Sequence, residues 1–403
     1  MLRVPGLSIT TRHSPSAYPW QAQATLPGAG VVIGLNHLGG GAPFCYDPWA
    51  LYEAEVVRSP NLVLLGQLGT GKSSLVKTYL ARQSLAGRQV FVLDPKGEYA
   101  PLADQLGLAQ LCLRPGGQHR LNPLDRWPGS DLEPSAVVAD LAGAGLRRDL
   151  SPEERAGLEA ATNSLPSGAT LAELVDALLH PGAGLTTALS MSVPQALAAL
   201  RPMGLELGRL LRGDLAGMFD GATNVALDPE GPGLRIDLSA VFGTGAGPAV
   251  MVAAGSWLSQ VTGRPSERRR ILVLDEAWAA LGNVTTTRWL QATAKLARAR
   301  GIQLVLVVHR LSDLAAQADA GTEAAAQAQG LLADAETRVV YAQSPGELAA
   351  ATALLGLSGA EAELVGRLPP FVALWLVGHH RAVIEHVCTE AELAMVNTDQ
   401  AMS

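Results

Sequence analysis

The chain has 403 residues, of which 48% are hydrophobic and 17% are charged, and its formal net charge is −7. This composition excludes a disordered chain, and the acidic balance excludes a surface that is basic throughout, although a local basic patch or pore lining stays open. No run of about 18 apolar residues occurs, and the N-terminus lacks the apolar core of a secretory signal, so no membrane span or leader is predicted. Three widely spaced cysteines fit neither a disulfide framework nor a zinc site, which favours a cytoplasmic location.

Residues 1–60 are predicted to form a short, β-rich N-terminal region. Two apolar runs, 31–35 and 44–46, have the composition of strands, and three consecutive glycines make a turn between them. Pro48 suits the first position of a short helix. We expect this region to pack against the edge of a sheet near the nucleotide site described next.

Residues 61–127 are predicted to form the first part of a nucleotide-binding core. The apolar strand 61–65 leads into residues 66–73, which fit the phosphate-binding P-loop pattern G-x-x-x-x-G-K-[ST], and a helix follows. The glycines let backbone N–H groups turn toward phosphate oxygens, and the helix adds the positive end of its dipole. We expect Lys72 to bind the β- and γ-phosphates and Ser73 to bind Mg²⁺. The predicted ATP-binding residues are Gly66, Gln67, Leu68, Gly69, Thr70, Gly71, Lys72, Ser73 and Ser74.

The second predicted strand, 89–94, ends in the sequence Asp94-Pro95-Lys96-Gly97-Glu98-Tyr99. Ligands of open α/β sheets bind beyond the carboxyl ends of the strands, so we expect Asp94, Lys96 and Glu98 to form the rim of the active site, facing a nucleotide or a neighbouring subunit. The alternative is a strand-end turn with solvated charges.

The use of lysine supports a special role for Lys96. Lysine occurs only at positions 72, 77, 96 and 295, and the other 26 of the 30 basic residues are arginine. A compact ammonium and a planar guanidinium are not interchangeable at a phosphate site, so a lysine in this loop of an arginine-rich chain indicates a specific role. Lys77 and Lys295 are interpreted as lying on solvated helix faces.

Residues 128–215 are predicted to form an all-helical insertion. Ser151 with Glu154, and Thr170 with Glu173, have the spacing of capping boxes at helix N-termini. We expect the insertion to contact a partner, another subunit or a substrate.

Residues 216–403 return to alternating strands and helices and complete the core. Strands are predicted at 234–238, 271–274, 302–308 and 338–341, and helices at 248–261, 285–300 and 322–334. Ser358 and Glu361 form a third capping box, and strands 371–377 and 382–387 form a C-terminal β-hairpin. The alternation predicts an α/β fold whose mostly parallel sheet is covered by helices on both faces.

The apolar strand 271–274 is followed directly by Asp275 and Glu276. At the carboxyl end of this strand Asp275 is predicted to bind Mg²⁺, and Glu276 is predicted to act with Lys72 as a catalytic residue by polarising the attacking water. A protein that only binds ATP does not need this second carboxylate. The chain contains no Asn-Lys-x-Asp sequence for guanine, so ATP is favoured over GTP.

Three further residues are candidates for the same site. His309 follows the strand 302–308 and is a candidate sensor of the γ-phosphate, or else a residue that caps a loop. Arg298 and Arg300 lie at the end of the preceding helix, where cations complement the helix dipole. One of them is a candidate arginine finger for the ATP of an adjacent subunit.

These elements, in this order, resemble the ATPase half of VirB4-type (TraG/TraC-like) conjugation and type IV secretion proteins, within the FtsK/HerA group of RecA-like motors. The resemblance rests on the P-loop, the 94–99 element, the helical insertion, the sequences Asp275-Glu276-Ala277-Trp278 and Ala297-Arg298-Ala299-Arg300-Gly301, and the C-terminal Leu368-Pro369-Pro370 with its hairpin and Glu390-Ala391-Glu392-Leu393. It covers about residues 28–400.

The resemblance implies a RecA-like P-loop ATPase that forms a hexamer at the cytoplasmic face of a secretion channel and drives assembly or the transfer of protein or DNA. It implies Lys72 and Ser73 on nucleotide and Mg²⁺, Asp275 on Mg²⁺ and Glu276 as the base. Many relatives carry Gln where this chain has His309, and many carry a large N-terminal domain. We therefore expect either that a separate protein supplies that half or that this chain does a different job with the same motor. A DNA translocase of the HerA/FtsK kind and an ATP-dependent assembly scaffold with little hydrolysis are the alternative functions.

Overall fold

A computed structural model describes residue 26 and residues 28–127, 133–146, 148–244, 247–264, 266–277, 284–309, 330–332 and 334–396. Within these ranges the chain forms one large sheet with helices on both faces. The strands are β1 (Val31–Asn36), β2 (Ala42–Tyr46), β3 (Leu62–Leu65), β4 (Gln89–Asp94), β5 (Ala109–Cys112), β6 (Gly233–Asp237), β7 (Arg270–Leu274), β8 (Ile302–Val308), β9 (Thr337–Val340), β10 (Val372–Val377) and β11 (His380–His386).

The helices of the described ranges fall into three groups along the chain. Those before the predicted insertion are α1 (Pro48–Glu53), α2 (Lys72–Leu85) and α3 (Ala100–Leu106). Those within it are α4 (Pro134–Leu146), α5 (Pro152–Ser164), α6 (Leu171–Leu179), α7 (Ala183–Leu189) and α8 (Val193–Arg209). Those after it are α9 (Gly247–Thr262), α10 (Val284–Ala297), α11 (Pro345–Leu355), α12 (Gly359–Val365) and α13 (Glu390–Val396).

The strand order is β2-β1-β11-β10-β9-β3-β8-β7-β4-β6-β5. The strands from β9 to β5 in this order pair in parallel, whereas β10, β11, β1 and β2 pair antiparallel at the other end. The predicted α/β fold with a mostly parallel sheet is therefore confirmed. Because the parallel strands share one direction, the carboxyl ends of β3, β4, β7 and β8 lie at one edge, where the candidate site residues follow them.

Alternate residues of the central strands enter two hydrophobic clusters, one on each face of the sheet. On β3, Val63 and Leu65 belong to one cluster, and Leu62 and Leu64 belong to the other. All four are almost fully buried, which is why the strand has a continuous apolar sequence rather than an alternating one.

The helices of residues 134–209 share a hydrophobic core with the sheet. Val138, Leu158 and Leu200 lie in the same cluster as Val63 and Leu65 of β3. The helical character of this segment agrees with its sequence, and the capping boxes of α5, α6 and α12 are present. The division of the chain into domains stays a prediction.

The N-terminal strands extend the main sheet. β1 pairs with β11 of the C-terminal hairpin and with β2, which forms the edge. Asp47 accepts hydrogen bonds from the backbone N–H groups of Trp49 and Ala50, both at 2.9 Å, so it caps α1 at the predicted position.

Some elements differ from their predictions. β5, α3 and α11 were not predicted, and most of the predicted helix 322–334 lies outside the described residues. Strand β10 begins at Val372 rather than at 371, because Phe371 has a φ of +64°, a left-handed conformation that a strand does not contain.

Within the described ranges, no single helix has the length and apolar composition needed to cross a membrane. The bent pair of α7 and α8 meets that test only when the two helices are taken together.

Candidate active site

The P-loop connects β3 to α2 through a sharp turn that requires glycine. Gly71, immediately before α2, has a φ of +103°, and a Cβ built there would lie 2.8 Å from Cδ1 of Phe371. Gly66, at the start of the loop, leaves room for Tyr341, whose Cβ would be 2.5 Å from a Cβ at position 66. Both backbone shape and close packing therefore explain the spacing of these glycines.

Two aromatic residues from the C-terminal part of the chain hold the P-loop. The backbone N–H of Phe371 donates a hydrogen bond to the carbonyl oxygen of Thr70 at 2.8 Å. The hydroxyl of Tyr341 donates to the carbonyl oxygen of Gly71 at 3.4 Å. Phe371 has a strained backbone and a side chain that is 47% exposed, which puts an apolar ring beside the loop. Neither residue was predicted from the sequence.

Lys72 lies under the loop with its side chain buried. Its ammonium donates to the carbonyl oxygen of Gln67 at 2.6 Å and to that of Gly66. Burial lowers the pKa of Lys72 to about 8, against the opposing negative charges of Asp275 and Glu276. The cation thus sits in a space where it is desolvated, and an anionic group would stabilise it.

Asp275 follows β7 and is almost fully buried. Its Oδ1 accepts a hydrogen bond from the backbone N–H of Glu276 at 2.8 Å, and its Oδ2 accepts one from the hydroxyl of Tyr99 at 3.0 Å. Burial raises the pKa of Asp275 well above its ordinary value, and the adjacent charge of Glu276 raises it further. A bound cation would oppose both effects.

Glu276 has a strained backbone and a buried carboxylate. Its φ is +52°, a left-handed conformation that costs a non-glycine residue about 1 kcal/mol or more. The side chain is 3% exposed, and its Oε1 pairs with Lys96 and lies 2.9 Å from Nε2 of His309. Strain of this kind in a buried carboxylate at a sheet edge is typical of functional positions.

His309, at the end of β8, reaches both acidic side chains. Its Nε2 lies 4.0 Å from Oδ1 of Asp275, in addition to its contact with Glu276. Its Nδ1 is buried without a hydrogen-bond partner among the described residues. The structure therefore brings His309 together with Asp275 and Glu276, as the strand order at this edge requires.

The three side chains form a group that could hold a cation. One oxygen of Asp275, one oxygen of Glu276 and one ring nitrogen of His309 lie within 4.8 Å of one another. Mg²⁺ prefers oxygen ligands, and it commonly takes one or two carboxylates together with phosphate oxygens. An oxygen of Asp275 and the hydroxyl of Ser73, a partly exposed residue on α2, are donors of the right chemistry, so the residues present fit Mg²⁺.

Asp94 does not face the site, contrary to the prediction from its position at the end of β4. It is fully buried, and its Oδ2 accepts hydrogen bonds from Nε of Arg235 at 2.7 Å and from the backbone N–H of Tyr99 at 3.0 Å. Its Oδ1 accepts one from the N–H of Glu98 at 3.1 Å. Asp94 is thus a buried anchor of the loop after β4 rather than a rim residue. Arg235 lies on the neighbouring strand β6. A charged residue inside that apolar strand indicates a buried acidic partner, and this is the sequence feature that could have predicted the pair with Asp94.

Lys96 and Glu98 have different environments in the same loop. Burial is the largest single effect on the pKa of Lys96 and lowers it, but the hydrogen bond with Glu276 and the negative charges of Glu276, Glu98 and Asp275 together raise that pKa above its ordinary value. Glu98 is partly buried, and its charge acts on Lys72, Lys77 and Lys96. Both residues therefore lie in the electrostatic surroundings of the site.

Lys77 was interpreted as part of a solvated helix face, and this was wrong. It is fully buried on α2, and its ammonium lies 5.6 Å from the centre of the Tyr99 ring. Burial lowers the pKa of Lys77, while the charges of Glu98, Asp94 and Asp275 oppose that shift. The negative charge of Asp275 thus acts on three of the four lysines, 72, 77 and 96, whereas Lys295 is exposed on α10.

Arg298 and Arg300 lie at the other edge of the sheet. They precede the amino end of β8, whereas His309 follows its carboxyl end. Arg298 is exposed and lines a cavity of about 390 Å³ together with Arg58 and Lys295. Arg300 is partly buried, close to Gly263. The fold therefore does not bring either arginine to the P-loop of its own chain.

Solved structures with this fold include VirB4 of Thermoanaerobacter pseudethanolicus. It superposes with a TM-score of 0.74 at 22% sequence identity, and the match covers 92% of this chain and 99% of that chain. The chain has the VirB4 fold. No protein-family model matches the sequence, and no curated protein matches it. The expected likeness to VirB4-type proteins is thus confirmed at the level of the fold, by the structure rather than by sequence identity.

The plasmid coupling protein TrwB, a bacterial conjugative coupling protein, is also similar to this VirB4-like chain. Its complex with ADP and Mg²⁺ has a TM-score of 0.59 at 15% identity, and the match covers 91% of each chain. Its complex with the ATP analogue ADPNP has a TM-score of 0.57 at 16% identity, with the same coverage.

Proposed function

We propose that this chain is an ATP-hydrolysing motor of a conjugation or type IV secretion-like system, which energises assembly or the transfer of protein or DNA. The observation that carries the proposal is the meeting of a buried P-loop lysine, Lys72, with the paired carboxylates of Asp275 and Glu276, in a fold shared with VirB4 over almost the whole length of both chains. The nucleotide complexes of TrwB, which has a related fold, support ATP and Mg²⁺ as ligands.

Each residue of the site has a separate role in this proposal. The P-loop N–H groups and Lys72 bind the β- and γ-phosphates, and Lys72 exchanges its contacts with the carbonyl oxygens of Gly66 and Gln67 for phosphate oxygens. Ser73 and Asp275 hold Mg²⁺, which supplies charge neutralisation at the phosphates. Glu276 accepts a proton from the attacking water, and His309, in contact with Glu276, orients its carboxylate.

The direct test is release of inorganic phosphate from ATP by the full chain. We expect hydrolysis that requires Mg²⁺ and that GTP supports less well, since no guanine-specific sequence is present. The measurement is a steady-state phosphate assay with and without a chelator of divalent cations. ATP binding without any Mg²⁺-dependent turnover would refute the motor and favour an assembly scaffold that hydrolyses little or no ATP.

A ring of subunits, six by the resemblance to VirB4-type motors, is part of the proposal, and the position of the arginines is compatible with it. Arg298 and Arg300 cannot complete the site of their own chain, because they lie at the amino ends of the strands. An arginine that stabilises transition-state charge would therefore act on the ATP of an adjacent subunit. We propose such a homo-oligomer, working with channel proteins.

Mixed rings test the arginine finger. We expect Arg298→Ala or Arg300→Ala, whichever removes the finger, to lower kcat by about 10³-fold or more with little change in ATP affinity. Mixing that variant with Glu276→Gln should restore part of the activity, because some interfaces then combine an intact arginine with an intact glutamate. The arginine variant that keeps its activity serves as the control for the other. Mixtures no more active than either variant alone would contradict an intersubunit role.

A DNA translocase is the second candidate function. The observation that favours it is a cavity whose lining includes three basic residues, Arg58, Lys295 and Arg298, and one acidic residue, Asp334, which leaves a local excess of positive charge on this acidic chain. Stimulation of ATP turnover by double-stranded DNA, lost as salt is raised, would select this function over transfer of protein.

A further inference from the structure

Among the described residues, Asp275 accepts hydrogen bonds from the backbone of Glu276, which follows it, and from the side chain of Tyr99. The ring of Tyr99 is fully buried, and its hydroxyl donates to Oδ2 of Asp275 at 3.0 Å. The backbone N–H of Tyr99 donates to Oδ2 of Asp94, which is itself paired with Arg235. The tyrosine is therefore held from its backbone as well as by its packing.

The two oxygens of Asp275 have different partners. Oδ2 faces Tyr99, whereas Oδ1 accepts from the N–H of Glu276 and is the oxygen that approaches His309. Two hydrogen bonds on two different oxygens fix the rotation of a carboxylate. The result is that Oδ1 points to the side where Glu276 and His309 lie.

Lys77 connects Tyr99 to the P-loop helix. Its buried ammonium lies over the Tyr99 ring and has no hydrogen-bond partner among the described residues. A cation over a phenol ring is attracted to the ring face, and it strengthens the hydroxyl as a donor by withdrawing electron density. Lys77 on α2, Tyr99 after β4 and Asp275 after β7 thus form a continuous buried chain of contacts.

We propose that Tyr99 is a positioning residue for Asp275, which holds Oδ2 and presents Oδ1 to the divalent cation that accompanies the nucleotide. This inference rests on the proposed function. Residues that hold a metal ligand in place typically change metal affinity or activity by about 10- to 100-fold when they are removed. The hydroxyl of Tyr99 has the geometry of such a residue, because it donates its hydrogen bond to the predicted metal ligand.

Tyr99→Phe tests the role, because it removes the hydroxyl and keeps the ring that packs against Lys77. The measurement is binding of Mn²⁺ to the full chain with ADP, followed by electron paramagnetic resonance of the free ion. We expect about 10-fold weaker Mn²⁺ binding and unchanged ADP affinity without a divalent cation. Tyr79→Phe is the matched control, since Tyr79 is also a buried tyrosine and donates to Gln303 at 2.6 Å, away from the carboxylates.

The outcomes separate this inference from the proposed function. Wild-type Mn²⁺ affinity in Tyr99→Phe would overturn the positioning role and leave the motor untouched. An equal loss of cation-free ADP affinity would indicate general damage to the site and would also overturn it. If the wild-type chain with ADP bound no Mn²⁺, the proposed function would fail, and the role of Tyr99 with it. Thermal unfolding of both variants establishes that they are folded.

Discussion

Replacing Lys72 with alanine is expected to weaken ATP binding by about 100-fold, because charge-assisted hydrogen bonds to phosphate contribute about 1.5–3 kcal/mol each. Lys72 is buried under the loop with a pKa lowered to about 8 by desolvation. Because the pKa of Lys72 in the folded state lies below its ordinary value, burial of the charged ammonium destabilises the folded state at neutral pH. A bound phosphate would compensate for this loss of stability. The measurement is isothermal titration calorimetry with ATP and Mg²⁺.

The sign of the pKa shift gives this variant a second expected result. The folded state binds the Lys72 proton less tightly than the unfolded chain does. The buried charge therefore reduces the free energy of unfolding by its full amount below about pH 8, and by less as the pH rises toward the ordinary lysine pKa. Removing the ammonium should therefore not lower the thermal unfolding temperature at neutral pH. Lys295→Ala is the control, since Lys295 is exposed on α10. An unchanged ATP affinity in Lys72→Ala would refute the site.

Replacing Glu276 with glutamine is expected to lower kcat by about 10²- to 10⁴-fold while ATP binding is kept, because the amide cannot accept the proton of the attacking water. Glutamine has the same shape, so the contacts with Lys96 and His309 stay close to their native geometry. The measurement is phosphate release at saturating ATP, with ATP affinity determined by calorimetry on the same preparation.

Glu385→Gln is the matched control for this variant. Glu385 lies on β11 and pairs with His37, with its side chain half exposed, so its charge is outside the site. Because Glu276→Gln should retain ATP and Mg²⁺, light scattering after size exclusion should give a six-fold mass if the ring proposal is correct. Full turnover in Glu276→Gln would contradict the assignment of the base and weaken every hydrolase interpretation.

Much of the site was predictable because its signals are local. The P-loop is a run of eight residues whose glycines, lysine and serine each have a physical reason, and Asp275 and Glu276 directly follow an apolar strand. Parallel strands bring their carboxyl ends to one edge, so the recognised strands place Asp275, Glu276 and His309 at the same edge, and the pairing of β7 with β8 then brings them together. The capping boxes are equally local, since donor and acceptor are three residues apart.

Single charged residues were harder to interpret, because their burial depends on neighbours that are distant in sequence. Asp94 was expected at the rim, but Arg235 on the adjacent strand pairs with it 141 residues later. Lys77 was expected in solvent, but the aromatic ring and the carboxylates around it come from two other loops. The spacing of apolar residues along α2 does not predict that Lys77 is buried, because the helix carries polar residues on several faces.

The sequence by itself determined the fold class, the phosphate-binding loop and the pair of acidic residues, since each depends on contacts within a few residues or on the common direction of parallel strands. Only the tertiary structure decided that Tyr99 holds Asp275, from 176 residues away, and that Phe371 and Tyr341 close over the loop. The physical reason is that such contacts depend on strand order and register across the whole sheet. Neither order nor register is encoded in any one segment.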